Sequence, residues 1–420
     1  MAPSPFTGTL IAQDPTDVPA SPPEPLRGSR ASWRTIEWRA SEVASAGERR
    51  SLAELARASL PICKMSHDVD WLGVEADQPG HRLIVLVDRE GDELLGIAPF
   101  HVHPSGLSFW IGEISVFSKK VERFAIEEGP LTRRQPARVA VDECFSALSG
   151  LLRPGNVVFL GGVSKDSDLQ TLIDDETSAL RRAFHVVPFG PEYLRCKIAW
   201  DGSFERYLAS IGYTSRKDLR RTLKKFEKSD NLRVELRRYR SEDEVAAFLE
   251  DAIPVSDKTY QKQLLGIGLS DDDRLEVKLR EAARKGYFLG HNLYLNGKAV
   301  AFHYGYNYNS TFYMIDGAYD PAWAKHQVGV VIFCEVLKDI EKHGDRITLM
   351  DYMYGGGTYK ERSSNLKMPE RHYYLIPRTL FGAVLAKSLI WTDRFSRALG
   401  GFLERHGLKD RIKRLIRRSS

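Results

Sequence analysis

The segment 310–360 constrains the fold more than any other part of the chain. Its first stretch, STFYMIDGAYD, is rich in aromatic and apolar residues and predicts a buried strand that ends at Pro321. The next stretch, GVVIFCEVLKDIEKHG, repeats apolar residues at helical spacing and predicts a helix from about Val328 to His343. RITLMDY then predicts a second strand, and a run of glycines frees the backbone before Tyr359. This order suits phosphate binding and catalysis.

The start of that helix is the predicted anion site. Backbone N–H groups in a first helical turn lack intrahelical acceptors, and the helix dipole favours an anion beside them. Gly329 would let a ligand approach the turn closely. The candidate ligand-binding residues are Lys325, His326, Gln327, Val328, Gly329 and Val330.

The same order of elements occurs about two hundred residues earlier, which predicts an internal repeat of a whole domain. There, HRLIVLVDREGDELLGIAPFHVH predicts a hairpin, VAVDECFSALSGLL a helix, and NVVFLGG a strand. This first copy lacks counterparts of Asp351, Tyr359 and Lys360. We therefore expect the first copy to be degenerate and to shape a cleft, and the second copy to carry the chemistry.

The stretches LYLNGKAVAFHYG, STFYMIDGAYD and MDYMYGGGTYK together resemble, in order and spacing, the BioF-like (CelD-like) acetyltransferase domain of the GNAT superfamily, a relative of the Fem aminoacyl transferases. The matching positions are Ala301, Phe302, Tyr319, Asp320, Gly329, Asp351, Tyr352, Tyr359 and Lys360. The resemblance implies an α/β fold with mixed sheets and tandem GNAT-like domains. The expected units are a Pro-rich disordered leader over 1–31, a degenerate domain over 32–195, an acetyltransferase domain over 196–385 and a basic amphipathic helix over 386–420.

The resemblance also implies a function. It predicts an acyltransferase that moves an acetyl group from acetyl-CoA, without a metal, to an amine or hydroxyl. The acceptor would be a sugar or a sugar-linked lipid in an envelope or exopolysaccharide setting, and the turn 326–330 would hold the pyrophosphate of the donor.

Acyl transfer needs a route for the proton of the nucleophile and donors for the developing oxyanion. Asp351 interrupts an apolar strand where the glycine loop begins, so it is a candidate base, or else a carboxylate that caps the loop. Tyr359 could donate to a leaving thiolate or anchor the loop. Lys360 could bind a phosphate or the oxyanion, or form an exposed ion pair.

Three further residues are candidates for binding the acceptor. His303 alternates with tyrosines on a predicted strand, where a core histidine is the other interpretation. Asp316 lies within an apolar strand, where a carboxylate needs partners or an open cleft. Tyr260 belongs to a loop that could line the acceptor site.

Two alternatives remain open from the sequence. A Fem-like transferase would use aminoacyl-tRNA, which the basic helix at 216–228 and an imperfect pyrophosphate motif, with His326 and Val331 at its first and last places, would suit. That helix could equally be a solvated surface helix. The second alternative is a non-catalytic scaffold for polysaccharide assembly.

Charge and cysteine content bound the setting of the protein. The net charge of +5 comes from the segment 386–420, which carries ten Lys or Arg against three acidic residues. Nucleic acid is therefore not an expected partner, except tRNA in the alternative. The four cysteines are far apart and predict neither a disulfide framework nor a metal site, so we expect a cytoplasmic protein. The basic tail either packs on the body or contacts the inner face of the membrane.

Overall fold

The computed structural model describes residues 33–39, 45–60, 64–111, 114–228, 232–259, 262–263, 268–269, 273–355 and 357–405. The predicted leader, Tyr260 and the last fifteen residues of the predicted tail lie outside these ranges. Within them, the chain forms one mixed sheet of 13 strands with helices on both faces.

The strands are β1 (Trp33–Arg39), β2 (Arg82–Glu90), β3 (Glu93–Ile111), β4 (Ile114–Glu127), β5 (Leu131–Thr132), β6 (Asn156–Ser164), β7 (Phe184–Ala199), β8 (Val234–Tyr239), β9 (Phe288–Leu295), β10 (Lys298–Tyr308), β11 (Thr311–Tyr319), β12 (Leu349–Asp351) and β13 (Leu366–Pro377). The helices are α1 (Ser45–Ser59), α2 (Val69–Glu75), α3 (Ala137–Ser149), α4 (Asp168–Asp174), α5 (Ala179–Ala183), α6 (Phe204–Ser210), α7 (Tyr213–Glu227), α8 (Glu244–Ser256), α9 (Asp273–Arg284), α10 (Val328–His343), α11 (Thr358–Ser363) and α12 (Leu380–Arg405).

The strand order supports the predicted repeat. Along the sheet it is β1-β2-β3-β4-β6-β13-β7-β12-β11-β10-β9-β8, with β5 paired to β3. Inside the edge strands β1 and β8, each half contains an antiparallel hairpin, a third strand, and a fourth strand parallel to the third. These strands are β2, β3, β4 and β6 in one half and β9, β10, β11 and β12 in the other. A helix connects the two parallel strands in both halves, α3 in the first and α10 in the second. We call β1–β6 the N-terminal half and β8–β12 the C-terminal half.

Strands β7 and β13 join the two halves at the centre of the sheet. Strand β13 pairs with β6 on one side and with β7 on the other, and β7 also pairs with β12. Strand β7 runs without interruption across the predicted boundary at 195/196. The backbone hydrogen bonds of the sheet are therefore continuous from one half to the other.

Helices cover both faces of the sheet, so its strands can be buried on both sides. All eight residues of β9, FLGHNLYL, are buried. In the C-terminal half, α6, α7 and α10 pack on one face and α8 and α9 on the other. In the N-terminal half, α3, α4 and α5 pack on one face and α1 and α2 on the other.

The last described helix, α12, begins at Leu380, before the predicted start of the basic tail at residue 386, and residues 406–420 of that tail lie outside the described ranges. Helix α12 packs along β3, β7 and β13 through Leu385 and Ala386, which are buried. Within the described part of the chain, no helix combines the length and the apolar character needed to cross a membrane.

Candidate active site

The sheet opens between β11 and β12. These parallel strands pair only over residues 311–313 and 349–351. Strand β11 continues to Tyr319, whereas β12 ends at Asp351 and the chain turns into a loop. Beyond Tyr313, this edge of β11 has no strand partner among the described residues. Open α/β sheets bind ligands where parallel strands separate at their carboxyl ends.

The equivalent position in the N-terminal half is closed. Strands β4 and β6 pair over residues 122–127 and 156–161, up to the last residue of β4. The Glu127 carboxylate lies directly over Gly161, in the space that a side chain there would need. Tyr354, from the loop after β12, fills the neighbouring space beside Gly162. The degenerate copy therefore has no opening between its parallel strands.

A helix N-terminus faces the opening of the C-terminal half. A 3-10 turn, Pro321–His326, follows β11, and Gln327 then adopts a left-handed conformation with φ 54° and ψ 38° before α10 begins. The Gln327 carbonyl accepts from the N–H groups of Val330 and Val331. The N–H groups of the first two helical residues have no acceptor in the described ranges. They are available to an anion.

Side chains place further constraints on this turn. Val328 is fully buried in the core, so only its backbone can contact a ligand. The Gln327 side chain accepts a hydrogen bond from Thr222, which fixes the basic helix α7 beside the turn. A Cβ at Gly329 would lie 2.9 Å from Cδ1 of Tyr319. The absence of a side chain at Gly329 thus makes room for the Tyr319 ring. The sequence had predicted a different reason for this glycine, the close approach of a ligand.

Asp351 is not exposed to the opening. It is 2% exposed, and its carboxylate accepts three hydrogen bonds from Arg195 at 2.8–3.1 Å. The Lys197 ammonium lies 3.3 Å away, and the Met353 N–H donates at 2.8 Å. Burial opposes ionisation of Asp351, but the charge of Arg195 outweighs it and lowers the pKa of the carboxyl. A carboxylate held in this way is a poor proton acceptor and a good anchor for the loop that follows it.

Arg195 is the centre of a buried charged network at the junction of the two halves. Its guanidinium lies 3.3 Å from Glu128 of the N-terminal half and 3.6 Å from Glu370 of β13. It also stacks over the Tyr354 ring, 4.6 Å from the ring centroid. Burial disfavours the charged form of Arg195, but its interactions with Tyr354, Asp351 and Glu370 outweigh that cost and raise its pKa. The network thus fixes Tyr354, and with it the loop at the end of β12.

Lys360 holds the same loop from the other side. Its Nζ donates to the carbonyl oxygens of Tyr352, Tyr354 and Gly355 at 2.9, 3.0 and 3.3 Å. Desolvation lowers the pKa of its ammonium. All three donor positions are occupied by carbonyls, so the geometry favours a structural role for Lys360 over phosphate binding.

Tyr359 and Asp316 flank the opening. Tyr359, at the start of α11, is 66% exposed, and its ring packs edge-on against Tyr352 at 6.1 Å. Desolvation and the neighbouring Asp316 charge raise the pKa of its phenol. A β-bulge in β11, at Ile315, turns Asp316 to the face that packs on α8, and desolvation raises the pKa of Asp316. The structure therefore brings together two of the predicted site residues, Asp316 and Tyr359.

His303 does not belong to this pair. It lies opposite Gly317 on the other face of the sheet, beneath α10, with its ring 5.9 Å from Phe312. Its Nδ1 has no hydrogen-bond partner within the described part of the chain, and burial lowers the pKa of the ring to about 3. This position matches the interpretation of His303 as a core histidine.

Sequence reasoning missed Arg195, Glu370 and Tyr354. A pattern was available for the first of them, because Arg195 and Lys197 interrupt the apolar stretch YLRCKIAW at strand spacing. Charges that point to one face of a buried strand need partners. The partners are far apart in the sequence, and only the central pairing of β7, β12 and β13 brings them together.

Comparisons with known proteins agree with this geometry. Residues 214–361 match the sequence family described as an acetyltransferase (GNAT) domain, and this span contains α10, the opening and Tyr359. No curated protein sequence matches the chain significantly. Among solved structures, FemX aligns with a TM-score of 0.53 at 10% identity, over 78% of this chain and 95% of FemX.

Two further structures align less well. The structure of L-PGS from Bacillus licheniformis gives a TM-score of 0.45 at 14% identity, over 83% of this chain and 96% of that one. A tandem GNAT protein from the clavulanic acid biosynthesis pathway gives 0.45 at 10% identity, over 82% and 98%. The fold likeness rests on FemX and the enzyme class on the family match. Residues 214–361 therefore form a GNAT-type acetyltransferase domain, in a chain whose fold is similar to that of FemX.

Proposed function

We propose that the C-terminal half transfers an acyl group, most simply acetyl from acetyl-CoA, to an amine or hydroxyl. One observation carries this proposal: β11 and β12 separate in front of the free N–H groups of α10, whereas the matching strands of the N-terminal half stay paired. Only one of the two copies thus has room for a thioester donor. The resemblance to BioF-like enzymes suggests an acceptor related to envelope or exopolysaccharide chemistry.

The residues around the turn suit the diphosphate of the donor. Free N–H groups of the first helical turn, the exposed Lys325 and the half-buried His326 lie at one end of the opening. Helix α7 adds further positive charge, since its Thr222 donates to Gln327. When bound, acyl-CoA would supply an activated thioester whose sulfur leaves as a thiolate. No metal is needed for this reaction.

The protein groups that could move protons are Tyr359 and Asp316. The raised pKa of Tyr359 keeps its phenol protonated, so it can donate to the leaving sulfur. We place the proton acceptor at Asp316 instead of Asp351. Asp316 borders the opening and has a raised pKa, whereas Asp351 is buried and paired with Arg195.

Calorimetric titration tests the donor. We expect acetyl-CoA and free CoA to bind saturably, and the variants Lys325→Ala and His326→Ala to weaken binding. Lys367→Ala is the matched control, because Lys367 is exposed on β13 and distant in sequence from the turn. Absence of CoA binding would contradict the proposal. If CoA binds, a screen of amines and hydroxyls for release of free thiol from acetyl-CoA would identify the acceptor class.

A second donor, aminoacyl-tRNA, is supported by the fold likeness to FemX and by the basic surface of α7. Its exposed or half-buried basic residues are Arg216, Lys217, Arg220, Arg221, Lys224 and Lys225. Contacts to tRNA phosphates would make binding fall steeply with salt concentration. Charge reversal at Arg220 and Lys224 that abolishes tRNA binding, with no detectable CoA binding, would favour this donor.

A further inference from the structure

Helix α12 has two apolar faces, and the described residues of the chain cover only one of them. Leu385, Ala386, Leu389 and Ile390 face the sheet and pack against Leu107, Phe109 and Ile376. On the other side, Leu380 is 92% exposed, Val384 66%, Trp391 68% and Phe395 43%. At 100° per residue these four positions fall within one narrow stripe along the helix.

The exposed stripe continues onto the β3–β4 hairpin. Lys119 of this hairpin extends over the ring of Phe381, with its Nζ 5.9 Å from the ring centroid. Val116 and Phe117 at the end of the hairpin are also more than half exposed. Contiguous exposed apolar surface of this kind is uncommon on a monomer and marks an interaction site.

Basic side chains border this apolar surface. Lys387 and Arg394 are exposed on one edge of the helix stripe, and Lys119 is exposed on the hairpin. Asp393 lies on the opposite side of the helical wheel from the stripe. The sequence that follows the helix, residues 406–420, adds six Lys or Arg and one Asp.

We propose that this surface binds an anionic lipid bilayer. The surface is defined by α12 residues Leu380, Phe381, Val384, Lys387, Trp391, Arg394 and Phe395 and by hairpin residues Val116, Phe117 and Lys119. A helix with aromatic and aliphatic residues on one stripe and Lys or Arg along its edge lies in the plane of the membrane interface. The apolar side chains enter the acyl boundary and the basic groups pair with lipid phosphates.

Anionic lipid explains both properties of the surface at once. An apolar protein partner would account for Trp391 and Phe395 but not for the basic border, and a nucleic acid would not require exposed Leu380 and Val384. The proposal depends on neither the acyl donor nor the acceptor, so it can fail or succeed independently of the proposed function.

Vesicle co-sedimentation of the full-length protein tests the proposal. We expect binding to phosphatidylcholine vesicles that contain phosphatidylglycerol, weak binding to phosphatidylcholine alone, and release by added salt. Trp391→Ser with Phe395→Ser, and separately Lys387→Glu with Arg394→Glu, should each weaken binding about tenfold or more. Val277→Ser is the control, because Val277 is 62% exposed on α9.

Two results would overturn the proposal. One is the absence of binding to phosphatidylglycerol vesicles, or binding that both double variants retain. The other is a concentration-dependent dimer, detected by light scattering, in a protein that does not bind vesicles. If Trp391→Ser with Phe395→Ser abolishes this dimer, the partner that covers the surface is a second copy of this chain. An unchanged melting temperature of each variant confirms that it is folded.

Discussion

Arg195 donates three hydrogen bonds to Asp351 across neighbouring central strands, while the same guanidinium lies 3.3 Å from Glu128 of the N-terminal half. The pair therefore links the wall of the opening to the degenerate copy. Loss of one partner would remove the strongest opposite charge from a buried group, which is costly. Through Arg195, the N-terminal half therefore contacts the residue at which β12 ends and the loop of the C-terminal half begins.

The variant Asp351→Asn should mainly affect stability. It removes the charge that compensates Arg195 and Lys197, so we expect the free energy of unfolding to fall by about 3–5 kcal/mol in urea titrations. Asp201→Asn is the control, because its ion pair with Arg206 is exposed at the surface and should contribute less than about 1 kcal/mol. Unchanged stability together with a large loss of turnover would instead make Asp351 the proton acceptor.

The stability of the protein should also depend on the protonation of His67. This residue is 2% exposed, its Nε2 lies 2.9 Å from the Gly129 carbonyl oxygen, and burial lowers its pKa to about 4. Between about pH 6.5 and pH 4 the unfolded state binds a proton at this position that the folded state does not, so stability falls as pH falls through this window. From pH 7 to pH 5 the loss should be about 2 kcal/mol.

Thermal or urea unfolding at several pH values checks this prediction. His67→Gln retains a donor for Gly129 but cannot be protonated, so its free energy of unfolding should vary less between pH 7 and pH 5. His185, which is partly exposed on β7, offers the control substitution His185→Gln. If wild type and His67→Gln lose the same stability in acid, then His67 is not the group responsible.

The local pattern of the sequence was sufficient to predict the repeated elements. Apolar periodicity and the positions of glycine and proline predicted β11, α10 and β12, together with the counterparts α3 and β6 in the first copy, because each of these depends on contacts nearby in the chain. The order of β6, β13, β7 and β12 could not be read in this way. It depends on pairing between strands about two hundred residues apart, which periodicity does not encode.

The site was predictable to a smaller extent for the same reason. Position in a strand or loop selected Asp316 and Tyr359, which do flank the opening, but also Asp351 and Lys360, whose partners hold the loop. A polar residue next to a glycine run looks the same in sequence whether it faces a cleft or a buried arginine. The difference lies in Arg195, more than 150 residues away, which only the folded sheet brings to Asp351.

Tyr359→Phe should lower turnover without a large change in donor affinity. Loss of a proton donor to the leaving group costs about a hundredfold or more in kcat, whereas the ring still packs against Tyr352. Because the raised pKa of Tyr359 sets the upper pH limit for donation, the alkaline decline of activity should disappear in this variant. Tyr213→Phe, at an exposed position on α7, is the matched control. Equal kcat for the two variants would exclude Tyr359 as the donor.

The packing of Tyr354 against the N-terminal half can be tested at two glycines that differ mainly in their surroundings. Gly162 has φ +58° and Gly155 has φ +93°, so alanine is strained at both, at a cost of about 1–2 kcal/mol. A Cβ at Gly162 would lie 2.7 Å from Cε1 of Tyr354 and 3.0 Å from Glu370, whereas a Cβ at Gly155 would meet nothing within 4 Å. Gly162→Ala must therefore displace Tyr354 from Arg195.

We expect Gly162→Ala to cost about 1–3 kcal/mol more than Gly155→Ala in the free energy of unfolding, because overpacking adds to the backbone strain. It should also lower kcat, since Tyr354 and Tyr359 belong to the same loop and helix after β12 and movement of the first misplaces the second. Gly155→Ala should leave kcat unchanged. Equal stability and equal kcat for the two variants would show that neither folding nor turnover depends on the packing of Tyr354 against Gly162.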